Sequence, residues 1–255
     1  MKFVVVSVHD ELYEPLAEYT LYKNKKIYCD KHKYILFFKS DGGSQSCGGK
    51  QVIASLPPIK DDAIPMGWGK MFVLREAMNK YKKVDWFFNT DCDAMITNMN
   101  VKLEEIVSKF DNAHVIIPAD CNGINCGNMF IKNTEIGRAF VDTVIAGMPL
   151  YRNFYMFENQ LIQDLCVGTF LTEGGTRPGG TLWGNVIRVA PQKLFNSYDY
   201  KKLPKLQNRP SKDLLNTDGQ WEPNDFIIQW PSTSLEYRIE EAKNMFLKMS
   251  QQTDH

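Results

Sequence analysis

Apolar runs of strand length alternate with segments of helical spacing along most of the chain, and this alternation narrows the fold more than any other feature. Phe3 to Val8 and Tyr34 to Phe38 are β-rich runs bounded by polar residues. Gly67-Trp68-Gly69 then opens a stretch in which Met71, Leu74, Met78 and Tyr81 recur at three- and four-residue steps. The basic Lys80-Tyr81-Lys82-Lys83 that follows suits a helix C-terminus. Val84 to Asn89, His114 to Pro118, Gly127 to Lys132, Val186 to Ala190 and Phe226 to Trp230 are further strand candidates. Between them, Leu103, Ile106, Val107 and Phe110 form one helical stripe, and Asn133 is placed to cap a helix bearing Ile136, Phe140 and Val144. Leu161, Ile162 and Leu165 mark another helix, and Ala242, Met245, Phe246 and Met249 a closing amphipathic one. Strands alternating with helices predict an α/β fold with a mixed, largely parallel sheet flanked by helices.

No internal repeat or linker divides the chain, so residues 1–255 read as a single domain. Thirty basic and thirty acidic side chains balance, which argues against a protein that holds nucleic acid by bulk charge. No stretch approaches the roughly 18 apolar residues of a membrane span, and the run at Phe3 to Val8 is too short for a signal peptide. The six cysteines include no C-x-x-C pair and read as reduced thiols, which together with the missing signal predicts a cytoplasmic protein. Asp41 to Lys50, Glu173 to Asn185 and Leu203 to Asp225 read as loops, rich in glycine, proline or polar residues.

The chemistry concentrates at Asn89-Thr90-Asp91-Cys92-Asp93-Ala94-Met95-Ile96, directly after Asp85-Trp86-Phe87-Phe88. If the chain stays extended, Asp91 and Asp93 point to one face and Cys92 to the other. Two adjacent carboxylates at the end of a strand repel each other unless a cation lies between them. A hard divalent ion, Mn²⁺ or Mg²⁺, takes oxygen ligands and can be shared with a diphosphate. Two solvated aspartates in a turn give the same spacing. The apolar flanks on both sides favour the metal.

The surrounding residues carry a resemblance. Gly67-Trp68-Gly69-Lys70, then Tyr81, Asp85-Trp86-Phe87-Phe88 and Asp91-Cys92-Asp93-Ala94-Met95-Ile96-Thr97-Asn98, are similar to a W-x-K…Y-x-x-x-x-W…D-x-D-A-x-I-x-N core. That core belongs to the GMA12/MNN10-like galactosyltransferase family, which includes yeast α-galactosyltransferases, subunits of yeast α-mannosyltransferase complexes and plant xyloglucan xylosyltransferases. Upstream, Asn24 to Tyr28 and His32-Lys33-Tyr34 resemble the family's N-R…Y…H-G-Y stretch. Downstream, Gly123 to Asn133, Glu158-Asn159-Gln160, Pro191 to Tyr198 and Asn224 to Pro231 resemble further blocks of that family in the same order.

The resemblance implies a GT-A fold and a retaining glycosyltransferase. It also implies a nucleotide-sugar donor, UDP-linked ahead of GDP-linked, a glycan acceptor and a divalent metal. By that mapping Asp91 lies near the ribose and metal, with Cys92 beside it, and Asp93 is the firmest metal ligand. Asn125 and Gln160 line the donor sugar, with Glu158 and Asn159 nearby. Ser7, Val8 and His9 hold the nucleoside beyond the first strand, and Lys70 supports the phosphates unless it is a solvated helix lysine. Golgi members of the family carry an N-terminal anchor, whereas this chain starts at the first strand, which suggests a bacterial or viral source.

Two positions depart from the family pattern. Gln229 stands where the family has a metal-binding histidine; its amide oxygen is an acceptable but neutral ligand. Asn159 stands where a carboxylate is common, and an amide shields a developing positive charge only by its dipole. These departures favour a rival reading, a sugar-nucleotide or glycan-binding relative with little turnover. Nucleotidyl transfer also uses paired aspartates, but Ser7 to Glu11 lacks the glycine-rich loop that grips a triphosphate.

Overall fold

The computed structural model describes residues 1–40, 66–151, 154, 156–167, 169–172, 175–178, 182–203 and 219–252. The glycine-rich Asp41 to Lys50, Cys47, His255 and most of the loop from Leu203 to Asp225 lie outside the described residues. In β1 (Phe3–His9) every residue is buried. Val4, Val6 and Val8 enter one apolar cluster and Phe3 and Val5 another, as the two-residue period of a strand requires. An unbroken apolar run thus serves a strand covered on both faces.

The chain continues through α1 (Glu14–Ala17), a π-helical stretch at Glu18–Lys25 and α2 (Lys26–His32) to β2 (Ile35–Ser40). Next come α3 (Met66–Lys80), β3 (Trp86–Thr90), β4 (Ala94–Ile96) and α4 (Leu103–Val107). They are followed by β5 (Val115–Asp120), β6 (Gly123–Ile124), β7 (Asn128–Lys132), α5 (Glu135–Tyr151) and α6 (Glu158–Val167). A hairpin of β8 (Thr169–Thr172) and β9 (Gly175–Pro178) leads to α7 (Leu182–Val186), β10 (Ile187–Ala190) and α8 (Gln192–Phe195). β11 (Ser197–Tyr198), β12 (Ile227–Gln229) and α9 (Leu235–Gln252) complete the chain.

The main sheet runs β10-β5-β7-β3-β1-β2, with β6 attached to β5. β1 is parallel to β2 and β3, and β10 to β5, while β7 is antiparallel to both of its neighbours. The sheet is therefore mixed and largely parallel, as expected. One face packs on α3, α5 and α6 through Trp68, Met71, Phe72, Phe140, Val144 and Ile162. The other holds an aromatic core in which Phe88 stacks on Phe130 at 4.3 Å and Phe195 meets Phe130 edge-on at 5.2 Å. β11, β12 and β4 form a small second sheet beside it.

Three local expectations change. Thr134, not Asn133, caps α5, its hydroxyl accepting the Gly137 N–H at 3.2 Å. Asn133 instead donates to the carbonyls of Lys82 and Val84 at 3.2 and 2.8 Å, tying that helix to the end of α3. The stretch from Glu173 to Asn185 read as loop contains β9 and most of α7. The chain at Asp91 to Asp93 is not extended but turns, the Ala94 N–H reaching the Asp91 carbonyl at 3.2 Å. Among the described residues no helix is long and apolar enough to cross a membrane.

Candidate active site

β1 and β3 lie side by side and parallel, so His9 and Asp91 leave the sheet at the same edge. β7 runs the other way, with Asn128 opposite Thr90. The segment entering β7 therefore arrives beside the turn, where the Asp91 N–H donates to the Gly127 carbonyl at 2.7 Å. Such a carboxyl-terminal edge is where open α/β sheets place their ligands. A cavity of about 280 Å³ opens there, lined by Val8, His9, Tyr13, Gly67, Lys70, Asp91, Cys92, Asp93 and Arg238.

The turn is pinned from behind by the π-helical stretch. Lys25 is fully buried and its ammonium donates to the carbonyls of Thr20, Asp91 and Ala94 at 3.2, 3.0 and 2.5 Å. Asn24 pairs with both the N–H and the carbonyl of Ile96 at 2.8 Å, as a neighbouring strand would. Burial draws the Lys25 ammonium down to about 8. Cys92 points into the same packed layer, and burial pushes its thiol up to about 12.

Each aspartate meets its own cation. Lys70, from α3, reaches Asp91 at 2.8 Å and Glu158 at 3.1 Å, with 7% of its side chain exposed, so it is no solvated helix lysine. Burial opposes the Lys70 charge, but Asp91 and then Glu158 outweigh it and hold the group well above the ordinary lysine range. Burial pushes the Asp91 carboxyl up to about 6, with Lys70 pulling it back and Asp93 adding repulsion. Asp93 accepts from Gln229 Nε2 at 2.9 Å and faces Arg238 Nη1 at 3.3 Å. Arg238 and Tyr13 carry no motif and escaped the sequence reading. Their signal is positional: Arg238 lies four residues before Ala242 on the inward stripe of the closing helix.

The other expected residues divide between the cavity and its walls. Val8 and His9 line it, and His9 Nε2 bonds Glu14 at 2.7 Å. Ser7 does not face it, since its hydroxyl donates to the Thr90 carbonyl at 2.8 Å. Asn125 is fixed by Asp120 at 2.9 Å and Tyr198 at 3.1 Å, and its Oδ1 accepts the Gly127 N–H at 2.8 Å. Asn159 Oδ1 is spent on the Cys126 N–H at 2.7 Å. Gln160 turns along its own helix to Asp164 at 2.9 Å. A buried chain of amides and hydroxyls joins the two ends of the site: Gln229 to Asn128, Asn128 to Asn196, Asn196 to Tyr198 and Tyr198 to Asp120.

The sequence profile of the galactosyl transferase GMA12/MNN10 family matches residues 3–113 and 106–230. An α-1,2-galactosyltransferase of Schizosaccharomyces pombe is 27% identical over 169 residues, which are 54% of this chain and 41% of that protein. A galactomannan galactosyltransferase of Cyamopsis tetragonoloba is 24% identical over 149 residues, 54% of this chain and 30% of that protein. The chain spans about half or less of the length of these relatives. A glycosyltransferase involved in glycosylation of the major capsid of PBCV-1 superposes with a TM-score of 0.65 at 15% identity, covering 96% of this chain and 100% of that one. The galactosyltransferase LgtC, solved with donor and acceptor sugar analogs, gives 0.54 at 12% identity, covering 94% of this chain and 95% of that one. At such identities the likeness is one of fold, and the fold is GT-A. Because the family profile runs from the first strand through the last, the chain belongs to the galactosyl transferase GMA12/MNN10 family of glycosyltransferases.

Proposed function

We propose that the chain moves a glycosyl group from a nucleotide-diphosphate sugar, UDP-linked ahead of GDP-linked, to a glycan hydroxyl with retention of configuration. The observation that carries this reading is the convergence of Asp91 and Asp93 on one cavity at the carboxyl edge of the sheet, with Lys70 and Arg238 beside them. The carboxylates of Asp91, Asp93 and Glu158 are matched by Lys70, Arg238 and, behind the turn, the Lys25 ammonium, so the group carries no positive excess for an anionic donor. Such a donor gains no net attraction there unless a cation accompanies it.

The donor set suits a hard divalent ion, Mn²⁺ or Mg²⁺, which takes carboxylate and amide oxygens. Asp91 and Asp93 would hold it. Gln229 now turns its Nε2 toward Asp93, so serving as a third ligand requires a half-turn of its amide. Asn128 Oδ1, buried and without a partner among the described residues, is a spare acceptor beside Gln229. When bound, the ion offsets the charge that grows on the departing diphosphate. Glu158 holds Lys70 against Asp91, which fixes the carboxylate that would take the ion. Gly67 admits Glu158 at close range, since a Cβ there would lie 2.2 Å from its Oε2. In the transfer the anomeric C–O bond to the diphosphate breaks and the acceptor oxygen bonds that carbon from the same face. The acceptor proton passes to a donor phosphate oxygen.

The test is a panel of UDP- and GDP-sugars incubated with MnCl₂ and assayed for released nucleoside diphosphate. Release abolished by Asp93→Ala is expected; release surviving that change refutes the metal assignment. The departures at Asn159 and Gln229 favour a second reading, a nucleotide-sugar-binding relative. It predicts UDP binding with no release from any donor.

A further inference from the structure

Arg238 lies in the first turn of α9, beyond residue 230 where the family match ends. It nevertheless lines the cavity. Its placement is built from three contacts: Nε donates to Thr233 Oγ1 at 3.2 Å, Nη1 donates to the Tyr13 hydroxyl at 2.9 Å, and Nη1 faces Asp93 Oδ2 at 3.3 Å. The guanidinium also sits over the Tyr13 ring, 5.8 Å from its centre. Nη2 has no acceptor among the described residues, and the side chain is 12% exposed.

The two cations at the site are therefore not equivalent. Lys70 is clamped between Asp91 and Glu158, and its charge is spent within the protein. Arg238 faces a single carboxylate, at a distance longer than the roughly 2.7–2.9 Å of a strong charge-assisted bond. That carboxylate also accepts from Gln229. A guanidinium keeps its charge at every working pH and presents a planar fork of donors suited to phosphate oxygens.

We propose that Arg238 binds the diphosphate of the donor, resting on Asp93 in the free protein and engaging a phosphate oxygen through the unused side of its fork when the donor enters. Tyr13 is the positioning residue that aims it. This rests on the nucleotide-sugar reading of the cavity and goes beyond it by assigning the diphosphate contact to a helix outside the family-matched segment.

The experiment titrates UDP, GDP and, as the phosphate-free control, uridine into the full chain in the presence of MnCl₂ by calorimetry. Arg238→Gln is expected to weaken UDP binding by about 10–100-fold, the scale of losing a hydrogen bond to a charged group, and to leave uridine within about twofold. Unchanged UDP affinity in the variant overturns the assignment, as does an equal loss for UDP and uridine, which marks a structural role. If Arg238→Gln does not fold, Tyr13→Phe is read the same way, with about threefold loss for UDP alone expected and equal affinities overturning the proposal. A wild-type chain that binds neither UDP nor GDP overturns the nucleotide reading itself. A wild-type chain that binds UDP beside an unaffected Arg238→Gln overturns only the role of Arg238.

Discussion

Gly127 is the point on which the site's polar groups converge, so Gly127→Ala perturbs their geometry more directly than removing any one of them. A Cβ built there lies 2.8 Å from Gln229 Nε2, 2.9 Å from Asn125 Oδ1 and 3.0 Å from Asp91 Oδ2. Each must retreat by about 0.4–0.6 Å to reach the 3.4 Å at which ordinary contact begins. None is free to do so. Asp91 is held by Lys70, Asn125 by Asp120 and Tyr198, and Gln229 by Asp93 and Asn128. Gly127 does not have a positive φ, so alanine brings no backbone strain, and the cost in stability is that of local overpacking, about 1–3 kcal/mol.

Catalytic groups work only when held within about 0.5 Å of their productive geometry, and a misplacement of about 1 Å can cost on the order of 100-fold. We expect Gly127→Ala to lower kcat/KM by about 10–100-fold, or about 1.4–2.7 kcal/mol of transition-state binding. The Tm should fall by about 2–10 °C. The assay is release of nucleoside diphosphate from the best donor of the panel, alongside a circular-dichroism melt. Gly147→Ala is the matched control: its Cβ meets Leu161 Cδ2 at 2.5 Å, between α5 and α6 and outside the cavity. Wild-type kcat/KM in Gly127→Ala, or a parallel loss of activity in both variants, refutes the argument.

Three further outcomes are expected. Lys70→Met leaves the buried Glu158 and the partly exposed Asp91 without their counter-ion and costs about 3–5 kcal/mol, chiefly through Glu158, while adding Glu158→Gln recovers part of the loss; urea midpoints read both. Lys25→Met strips a donor from three buried carbonyls and lowers stability by about 2–4 kcal/mol at neutral pH. Because burial holds the Lys25 ammonium near 8, the unfolded chain keeps more protons between that value and the ordinary lysine range. Wild-type stability therefore gains a rising component through this window, and urea midpoints at pH 7.5 and 9.5 with chelator present should show it flattened in Lys25→Met. Burial raises the thiols of Cys29 and Cys92 to about 12 and holds that of Cys126 well above the ordinary thiol range. In native protein at pH 8 these three should resist iodoacetamide and react only after unfolding, as read by peptide mass spectrometry.

The strands of the main sheet were legible because a strand buried on both faces needs an unbroken apolar run, and β1, β3, β5 and β7 carry one at Phe3–Val6, Trp86–Phe88, Val115–Ala119 and Met129–Ile131, with polar residues only towards their ends. α3 was legible from its three- and four-residue spacing. The helical passage from α1 to α2 was not, because its inward face carries Thr20, Asn24 and Lys25 among Leu21, Tyr28 and Cys29. Those polar residues are buried to hold the Asp91 turn and β4, and they erase the apolar stripe that would have announced a helix. β4 and β11, with three and two residues, exist through their pairing with β12 and have no pattern of their own. At the site, Asp91, Asp93 and Lys70 were singled out from spacing and resemblance, but their ion pairs were not. Which cation meets which carboxylate depends on how α3 and α9 are docked, and no local stretch encodes that.

That dependence has a consequence for how the site is maintained. The backbone of the Asp91 turn is fixed by Lys25 and Asn24, from the first helical passage. The carboxylates are fixed by Lys70 from α3, Gln229 from β12 and Arg238 from α9. Like charges placed side by side repel, and here the opposing groups come from segments that meet only after the sheet, its helices and the C-terminal helix have assembled. An unfolded chain cannot present this arrangement, so a ligand that needs it binds the folded state alone. Such a ligand adds to stability by mass action, by about 2.7 kcal/mol at 100 times its dissociation constant. Loss of α9 removes Arg238 and the cover over Leu16, Met95 and Trp230 together. The closing helix, though outside the family-matched segment, thereby couples the integrity of the fold to the charge balance of the cavity.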